Sequence, residues 1–408
     1  MKEISGGICA PKGFASGGIH CGIKKGSQKK DLALIYSPTP CAAAAMFTTN
    51  IVKAASIQVC RENIDNGKLH AVIVNSGNAN ACTGQDGLDS ARKMALLAAN
   101  VLGLDKSQVA VASTGVIGVP LPIELIEKNI DDLKLSLRDD MQGHEAALEA
   151  IMTTDIRKKE ISIEIEIDGK LVRIGAMAKG SGMIHPDMAT MLCFITTDAA
   201  VSIDTLNEVL RNAVKKSFNR VTVDGDTSTN DIVLVMANGQ ALNEAINNKE
   251  HRNYEVFSSA LEYVCIALAK MIAADGEGAT KLLTVTVKGA FCEDTAEKLA
   301  KSVASSSLVK AACFGADANW GRVLCAMGYA KAEFSPETAG VVFRSGAGEI
   351  EVCAGGVTVL FDEVKAKEVL SQSEIEILIN LKDGDGTASV WGCDLTYDYV
   401  KINGDYRS

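Results

Sequence analysis

A glycine-rich segment that ends at Thr190 has the residue types that a self-cleaving protein needs. Gly180 and Gly182 allow backbone dihedrals that other residues avoid. Ala189 is small, so its carbonyl is open to the hydroxyl of Thr190, and the apolar run at 191–195 would hold that hydroxyl in place. A threonine in such a turn can attack the carbonyl before it. Hydrolysis of the resulting ester then breaks the chain between Ala189 and Thr190.

Cleavage at this position would also supply the catalytic base. The new α-amine of Thr190 would have an ordinary pKa of about 7.7–8.0 and would lie on the same residue as the hydroxyl. It can therefore deprotonate the nucleophile without a histidine or aspartate partner. The residues alone leave two alternatives open. One is a structural threonine at the start of a strand, and the other is a Gly-Ser-Gly phosphate loop, although no helix pattern follows it.

Two predicted strands upstream end in polar loops. Residues 70–74 form a short apolar run before an Asn/Gly-rich loop, which is typical of a buried strand. Apolar residues at helical spacing then predict a helix over 88–102 that Gly103 ends. The next strand, 109–112, leads into the Ser-Thr-Gly sequence at 113–115.

The chain on both sides of the glycine-rich segment also predicts strands. Isoleucines alternate with polar residues over 161–167, which predicts a strand with one buried face. A tight turn leads to a partner strand over 171–177, and the apolar run 191–195 predicts a further strand. An amphipathic helix follows over 206–217, with Asp204 as its predicted N-cap.

The remaining elements mix strands and helices without strict alternation. Strands are predicted at 232–235, 283–287, 350–361, 375–381 and 389–402, and helices at 261–271 and 363–371. This pattern favours an α/β (α+β) fold of stacked sheets flanked by helices. A domain boundary is predicted near residue 280, with 281–408 as a smaller C-terminal domain.

The composition is typical of a soluble globular protein. The 408 residues are 47% hydrophobic and 23% charged, with a net charge of -10. No basic stretch with interleaved aromatic residues is present, so nucleic acid is not an expected partner. A short group of lysines is interpreted as a solvated loop: Lys24, Lys25, Lys29 and Lys30. Without an apolar signal sequence or a run of ~18 apolar residues, we expect a cytoplasmic protein with no membrane partner.

The cysteines and histidines form no recognisable metal or disulfide pattern. The chain has 12 cysteines and 5 histidines, and it contains no Cys-x-x-Cys pair. Thiols stay reduced in the cytoplasm, so the cysteines are interpreted as small buried hydrophobic residues. No metal site and no bound cofactor are predicted. Asp224 and Asp226 resemble a cation-binding loop in composition, but no glutamate closes an EF-hand, and a structural turn is predicted.

The segment 179–192 resembles the processing motif of the ornithine acetyltransferase family. Its sequence is Lys-Gly-Ser-Gly-Met-Ile-His-Pro-Asp-Met-Ala-Thr-Met-Leu. Further stretches are similar to family sequences, in the same order and along nearly the whole chain: 75–81, 113–118, 152–155, 224–231, 314–322 and 394–408. The resemblance implies the fold of that family, which related self-processing aminopeptidases share.

The resemblance implies an enzyme that moves the acetyl group of N-acetylornithine to glutamate, with ornithine and N-acetylglutamate as products. Thr190 would be the nucleophile and the acetyl carrier, and Thr114 with Gly115 would form the oxyanion hole. Self-cleavage would give chains 1–189 and 190–408. Two α and two β chains would then assemble into a heterotetramer.

The resemblance also assigns the residues that bind the substrates. They are Thr153, Lys179, Thr190, Glu277, Asn403 and Ser408. Lys179 is a natural partner for a carboxylate, and Glu277 is a natural partner for the ammonium of ornithine. Each of these two side chains, considered alone, could equally be an ordinary surface charge.

Other functions remain open at this point. One is an N-terminal-threonine amidohydrolase or aminopeptidase, in which water replaces glutamate as the acceptor. Another is an unprocessed protein that binds a small anion through its glycine-rich loops. Some members of the ornithine acetyltransferase family take the acetyl group only from N-acetylornithine, and others also use acetyl-CoA. No nucleotide-binding motif in this sequence separates these two cases.

Overall fold

The computed structural model describes residues 1–185 and 191–405, which form a mixed α/β fold. The strands of the described residues are β1 (Lys2–Glu3), β2 (Ala15–Ile19), β3 (Leu32–Phe47), β4 (Lys68–Asn78), β5 (Val109–Val116), β6 (Lys159–Ile167), β7 (Lys170–Lys179), β8 (Leu192–Thr197), β9 (Val221–Thr222), β10 (Ile232–Ala237), β11 (Leu282–Ala290), β12 (Gly340–Ser345), β13 (Gly348–Ala354), β14 (Val357–Thr358), β15 (Glu374–Asn380) and β16 (Gly386–Cys393). Their α-helices are α1 (Ala55–Ile64), α2 (Gly84–Leu102), α3 (Ile123–Leu135), α4 (Met141–Ile151), α5 (Ile203–Lys216), α6 (Tyr254–Ala274), α7 (Glu293–Ser305), α8 (Ser307–Phe314), α9 (Trp320–Gly328), α10 (Glu363–Leu370) and α11 (Tyr397–Asp405). The predicted fold class, with sheets flanked by helices, is confirmed.

The first sheet positions the predicted site. Its strand order in the described part of the chain is β1-β6-β7-β8-β10-β3-β4-β5, with β2 paired to β3. The predicted hairpin of β6 and β7 is confirmed, and its turn uses positive φ angles at Asp168 (52°) and Gly169 (71°). Strands β8 and β10 are parallel, as are β4 and β5, while the other neighbours are antiparallel. Because β8 lies between β7 and β10, it is a central strand.

The central strands are buried on both faces. An alternation of apolar and polar residues along a strand would predict only one buried face. Cys193 and Ile195 of β8 pack with α5 and α6, whereas Leu192 and Phe194 pack with α4 on the opposite face. The prediction of one buried face fits β6, where isoleucines alternate with partly exposed glutamates. A continuous apolar run such as 192–195 indicates instead a strand that is covered on both sides.

Helix α6 lies in the core between the two sheets. By length and composition it could cross a membrane, with a mean hydropathy of 1.6. Its side chains Phe257, Leu261, Val264 and Leu268 are fully buried in the same apolar cluster as residues of the first sheet and of β16. These contacts are those of a core helix, so length and hydropathy do not indicate a membrane span here.

The second sheet has the strand order β14-β13-β12-β15-β11-β16-β9 in the described residues, and α7 to α10 complete its core. Lys281 is buried beside this core, and its ammonium donates to the carbonyls of Cys313 (2.6 Å) and Leu370 (2.8 Å). All strands of this sheet except β9 come after residue 280. The smaller domain over 281–408 stays a prediction, because β9 joins this sheet from outside that range.

Three details of the predicted elements are wrong. The strand predicted over 350–361 is two strands, β13 and β14, which pair in an antiparallel manner, and the second ends at Thr358. The N-cap of α5 is Ser202 rather than Asp204, because the helix already begins at Ile203 and the Ser202 hydroxyl accepts from the N–H of Thr205 (3.3 Å). The strand predicted over 389–402 ends at Cys393 and gives way to α11. Asp394 turns the chain there by accepting from the backbone of residues 280 and 281.

Candidate active site

Strands β7 and β8 flank the predicted cleavage segment. They are antiparallel neighbours, and Lys179 at the end of β7 pairs with Leu192 at the start of β8. The predicted nucleophile Thr190 and its neighbour Ala189 lie outside the described residues, as does the predicted substrate contact Ser408.

The described chain resumes at Met191, whose backbone N–H and carbonyl are both hydrogen-bonded. Met191 donates its backbone N–H to Oδ1 of Asp231 (3.0 Å), and its carbonyl accepts from the N–H of Ile232. Burial raises the pKa of the Asp231 carboxyl well above its usual value, against the hydrogen bonds that it accepts. Since Leu192 pairs with Lys179, the described chain resumes beside the end of β7.

The chain before the cleavage segment is held by Asp224. The carboxylate of Asp224 accepts from the backbone N–H groups of Met183 (2.6 Å) and Ile184 (2.8 Å). Met183 has a φ of 58°, an uncommon backbone conformation for a residue with a side chain. The Asp224 turn therefore has a structural role directly upstream of the segment.

The predicted oxyanion residues lie at the end of β5, beside β4. Thr114 pairs with Ser76, and Gly115 pairs with Gly77. Gly115 has a φ of 134°, and a Cβ atom there would lie 2.3 Å from the carbonyl carbon of Gly77. Only glycine fits this position, which accounts for the Thr-Gly sequence at the strand end.

Lys179 connects the oxyanion candidate to a buried carboxylate. Its ammonium lies 3.5 Å from the hydroxyl of Thr114 and 4.0 Å from Oδ2 of Asp155, and its side chain is 4% exposed. Burial lowers the pKa of Lys179, although the charge of Asp155 opposes this shift. A buried ammonium of this kind is a strong candidate to bind a substrate carboxylate.

Asp155 is the centre of the network that positions Lys179. Its carboxylate accepts from the backbone N–H groups of Thr153 (2.9 Å) and Gly180 (2.7 Å) and from the ammonium of Lys159 (2.7 Å). Burial opposes ionisation of Asp155, but Lys179 and Lys159 outweigh burial and hold its pKa well below the usual range. The network thus brings the predicted contacts Thr153 and Lys179 together.

Lys159 extends the network to the loop that carries Glu277. Its ammonium contacts Asp275 at 2.5 Å, and its side chain is 1% exposed. Asp275 also accepts from the backbone N–H groups of Ile156 and Arg157 (both 3.2 Å). Ser181 donates its hydroxyl to the carbonyl of Asp275 (2.6 Å). The 275–277 loop is therefore tied to the end of β7.

Glu277 lines a cavity of about 480 Å³ and is hydrogen-bonded to Asn403. Asn403 Nδ2 donates to Oε2 of Glu277 (2.8 Å). A Cβ atom on Gly182 would lie 2.3 Å from the same oxygen, so the carboxylate approaches the backbone closely at this glycine and would have to move if a side chain were added. Ser181 and Glu277 line the cavity. An anion at this position can bind an ammonium group, as predicted for ornithine.

Several residues that organise the site were not identified from the sequence. Asp155, Lys159 and Asp275 form the buried ion network, and Asn230 links β10 to the strand ends by donating to the carbonyls of Ala79 (2.7 Å) and Ser113 (2.8 Å). Asp155 and Asn230 lie in the stretches 152–155 and 224–231, which are similar to family sequences. That similarity was the only sign in the sequence that these two residues matter. Their partners are more than a hundred residues away in most cases, so spacing could not reveal the roles.

The lysine group that begins at Lys24 is not simply a solvated loop. The Lys24 ammonium donates to the carbonyls of Lys30 (2.6 Å) and Met152 (2.7 Å), and burial lowers its pKa to about 8. Lys30 pairs with Glu149 at 3.0 Å. Lys25 is exposed, as predicted. The loop is therefore attached to the segment that contains Thr153.

One group of potential metal ligands occurs in the described residues. Asp168, Glu244 and His251 offer atoms within 4.8 Å of one another. Arg252 already contacts the carboxylates of Asp168 (2.7 Å) and Glu244 (3.4 Å), so a cationic side chain occupies this surface cluster. None of these residues belongs to the predicted site.

Comparison with known proteins identifies the family. A model described as the ArgJ family matches residues 15–408. The chain belongs to the ArgJ family. It is 52% identical over 409 residues to the "Arginine biosynthesis bifunctional protein ArgJ" of Symbiobacterium thermophilum, and 49% identical over 408 residues to the protein of the same name from Caldanaerobacter subterraneus subsp. tengcongensis. Both alignments cover 100% of this chain and 100% of the relative.

A solved structure supports the fold. The crystal structure of the "Arginine biosynthesis bifunctional protein argJ" from Bacillus halodurans matches with a TM-score of 0.50 and 46% identity. The match covers 98% of the solved chain but 52% of this one. The predicted resemblance to an acetyltransferase family of arginine biosynthesis is confirmed by these relatives.

The ion network makes a prediction about stability. Replacement of Lys159 with Met would leave Asp155 and Asp275 buried without their shared cation. We expect a loss of about 3–5 kcal/mol of unfolding free energy. The adjacent Lys158→Met variant loses only an exposed ion pair with Glu149, which is worth about 0–1 kcal/mol. Urea unfolding of both variants measures the difference.

The same network predicts the direction of the pH dependence. The lowered pKa of Asp155 means that its contribution is complete above the unfolded-state pKa of about 3.9. That contribution is lost as the pH falls toward the folded-state pKa. The Lys159→Met variant should lose less stability on acidification than the native protein. Equal losses for Lys159→Met and Lys158→Met at neutral pH would contradict the role of Lys159.

Proposed function

We propose that this enzyme transfers the acetyl group of N-acetylornithine to glutamate through an acetyl ester of Thr190. The observation that carries this proposal is the contact between Lys179 and Thr114, at 3.5 Å. It joins a predicted substrate-binding cation to a predicted oxyanion donor beside the point where the chain resumes at Met191. The biosynthetic names of relatives about 50% identical favour the transferase over the hydrolase.

The residues support a two-step reaction. The Thr190 hydroxyl attacks the acetyl carbonyl, its proton moves to the α-amine, and ornithine leaves with that proton. The α-amine of glutamate then attacks the ester and regenerates the hydroxyl. Thr114 and the Gly115 N–H would stabilise the oxyanion in both steps, and such donors contribute about 3–4 kcal/mol each to the transition state.

The charges of the site suit two substrates in turn. Ornithine and glutamate share an α-carboxylate, and Lys179 is its proposed partner. Thr153 is a further proposed substrate contact. Glu277, oriented by Asn403, is the proposed partner for the side-chain ammonium of ornithine. We also propose that Ser408 completes the site.

The proposed cleavage product is a complex of two chains. The solved relative from Bacillus halodurans is about half as long as this chain, which is the length expected of one fragment. We propose that 1–189 and 190–408 stay together as α and β chains. The assembly of two such pairs into a heterotetramer, and a cytoplasmic location, rest on the resemblance to the family.

A second donor is also proposed. The curated relatives share the word "bifunctional" in their names. We propose that acetyl-CoA can acylate Thr190 in place of N-acetylornithine, as a substrate and not as a bound cofactor.

Cleavage before Thr190 is the first prediction of this mechanism. Intact-mass spectrometry of the purified protein should find two fragments, 1–189 and 190–408. Thr190→Ala should remain a single inactive chain, because both cleavage and acetyl transfer need the hydroxyl. Thr190→Ser keeps a hydroxyl and should still be cleaved. A full-length, uncleaved protein with transferase activity would refute the mechanism.

The oxyanion assignment predicts a loss in turnover rather than in binding. Thr114→Ala should lower kcat by roughly a hundredfold to a thousandfold. The KM for N-acetylornithine should change much less, since the donor acts mainly in the transition state. Thr114→Ser, which keeps the hydroxyl, is the matched control. If KM rises as steeply as kcat falls, Thr114 is a substrate contact instead.

The charge of Glu277 predicts a difference between the two half-reactions. Glu277→Gln keeps the shape and removes the charge, so it should weaken acetylation by N-acetylornithine more than deacetylation by glutamate. Losing such a partner costs about 2–5 kcal/mol in a dry site and less in a wet one. Mass spectrometry of acetyl-Thr190 follows each half-reaction separately. Glu351→Gln, at an exposed position of the second sheet, is the control. Equal losses in both half-reactions would show that Glu277 does not bind the side-chain ammonium.

A further inference from the structure

A second cavity opens beside the proposed substrate site. Its volume is about 570 Å³, within the range of small-molecule sites. Thr154 lines both this cavity and the one that contains Glu277. Gly77 and Thr153 also line it, and Gly77 is the register partner of Gly115. The second cavity therefore lies next to the strand end that carries the candidate oxyanion residues.

One wall of this cavity is apolar and held in shape by a buried amide. Val116, Val119 and Pro120 contribute to the wall. Asn78 donates its side-chain amide to the carbonyls of Val119 (3.0 Å) and Pro120 (3.1 Å). The wall is thus fixed to the end of β4 and does not depend on the cavity being filled.

The opposite rim is basic. Lys25 and Lys29 line the cavity and are exposed, and neither forms an ion pair within the described residues. The loop that carries them is anchored below by Asp31, which accepts from the backbone N–H of Lys24 (3.0 Å), and by the Lys24 ammonium on Met152. In a chain of net charge -10, two unneutralised lysines over a cavity are a specific feature.

The other charged groups near this loop are already paired. Lys30 contacts Glu149 (3.0 Å), and Lys158 contacts the second oxygen of the same carboxylate (3.2 Å). Asp31 is fully buried and occupied by backbone N–H groups. Lys25 and Lys29 therefore remain available to an anion in solution.

We propose that this cavity, which we call the lysine-rimmed groove, binds the phosphorylated part of a coenzyme A thioester. Lys25 and Lys29 would contact its phosphates, the apolar wall at 116–120 would contact its pantetheine arm, and Thr153 would mark the end that the acyl group reaches. This inference rests on the proposed function, because the acyl group must arrive at Thr190.

The groove would serve a balanced acyl transfer. The Thr190 hydroxyl attacks the thioester carbonyl, the C–S bond breaks and an ester C–O bond forms. The hydroxyl proton passes to the α-amine and then to the departing thiolate, so free coenzyme A leaves. The acetyl ester that remains is the same one that N-acetylornithine forms. No oxidant, metal or further reactant is needed.

Direct binding tests the groove independently of catalysis. Titration calorimetry measures the affinity of the purified native protein for coenzyme A. The same titration follows for a Lys25→Ala, Lys29→Ala double variant. We expect coenzyme A to bind the native protein, and the dissociation constant to rise about tenfold or more in the variant, since charge-assisted phosphate contacts are the stronger class. A Lys288→Ala, Lys382→Ala variant removes two exposed lysines of the second sheet and should bind as the native protein does.

Kinetics then separate the two donors. In the double variant, the KM for acetyl-CoA should rise about tenfold or more, while the KM for N-acetylornithine stays within about twofold. Adenosine 3′,5′-bisphosphate should compete with acetyl-CoA in the native protein and lose that effect in the variant. Equal increases in both KM values would overturn the groove assignment, because the lysines would then act on the shared site.

The inference and the proposed function can fail separately. If native protein transfers acetyl from N-acetylornithine to glutamate but does not bind coenzyme A, the groove assignment is wrong and the proposed function stands. If coenzyme A binds through Lys25 and Lys29 but N-acetylornithine is not a donor, the groove stands and the proposed function is wrong. Unchanged affinity in the double variant overturns the groove even if acetyl-CoA is a substrate.

Discussion

The buried carboxylate of Asp155 holds together parts of the site that are far apart in the sequence. It accepts from the backbone N–H groups of Thr153 and Gly180, it pairs with Lys159, and it lies 4.0 Å from the ammonium of Lys179. A carboxylate with that many donors stays ionised despite complete burial, because each N–H replaces a water molecule that burial removed. The geometry of Lys179 depends on this charge. An ammonium that is 4% exposed would otherwise lose its proton or leave the interior.

The same network leaves Lys179 suited to a ligand. Among the residues that the structure describes, its nearest anion is Asp155, which is 4.0 Å away and is shared with Lys159 at 2.7 Å. The charge of Lys179 is therefore only partly neutralised. A carboxylate that entered the site could form the missing ion pair. In the proposed function, this distribution of charge would let one cation bind two amino-acid substrates in turn. Glu277, the proposed partner of the side-chain ammonium, lies on the 275–277 loop that Lys159 and Ser181 tie to the same network.

Local patterns were sufficient to predict most strands but not the contacts between them. The helix ended by Gly103, the hairpin across Asp168 and Gly169 and the strand at 192–195 all follow from periodicity and turn chemistry, which act within a few residues. The helix α11 was mistaken for a strand because none of its residues is buried, so it has no apolar stripe to reveal its period. Gly182 was predicted to allow unusual backbone dihedrals, yet it has no positive φ and instead lies against the carboxylate of Glu277, a contact that only the fold creates.

The strand order explains how the protein could be cut in its middle and remain one fold. Strands β8 and β10 follow residue 190, and they lie between β7 and β3, which precede it. Two fragments divided at this point would therefore share a continuous sheet, with hydrogen-bonded pairing on both sides of the β8–β10 unit. Separation would expose the edges of four strands, β7, β8, β10 and β3, and the apolar residues on both faces of β8, so the fragments have a strong reason to stay associated. In the proposed function, cleavage would free an α-amine on the residue before Met191, and Asp231 already holds the backbone of Met191 at the start of the sheet.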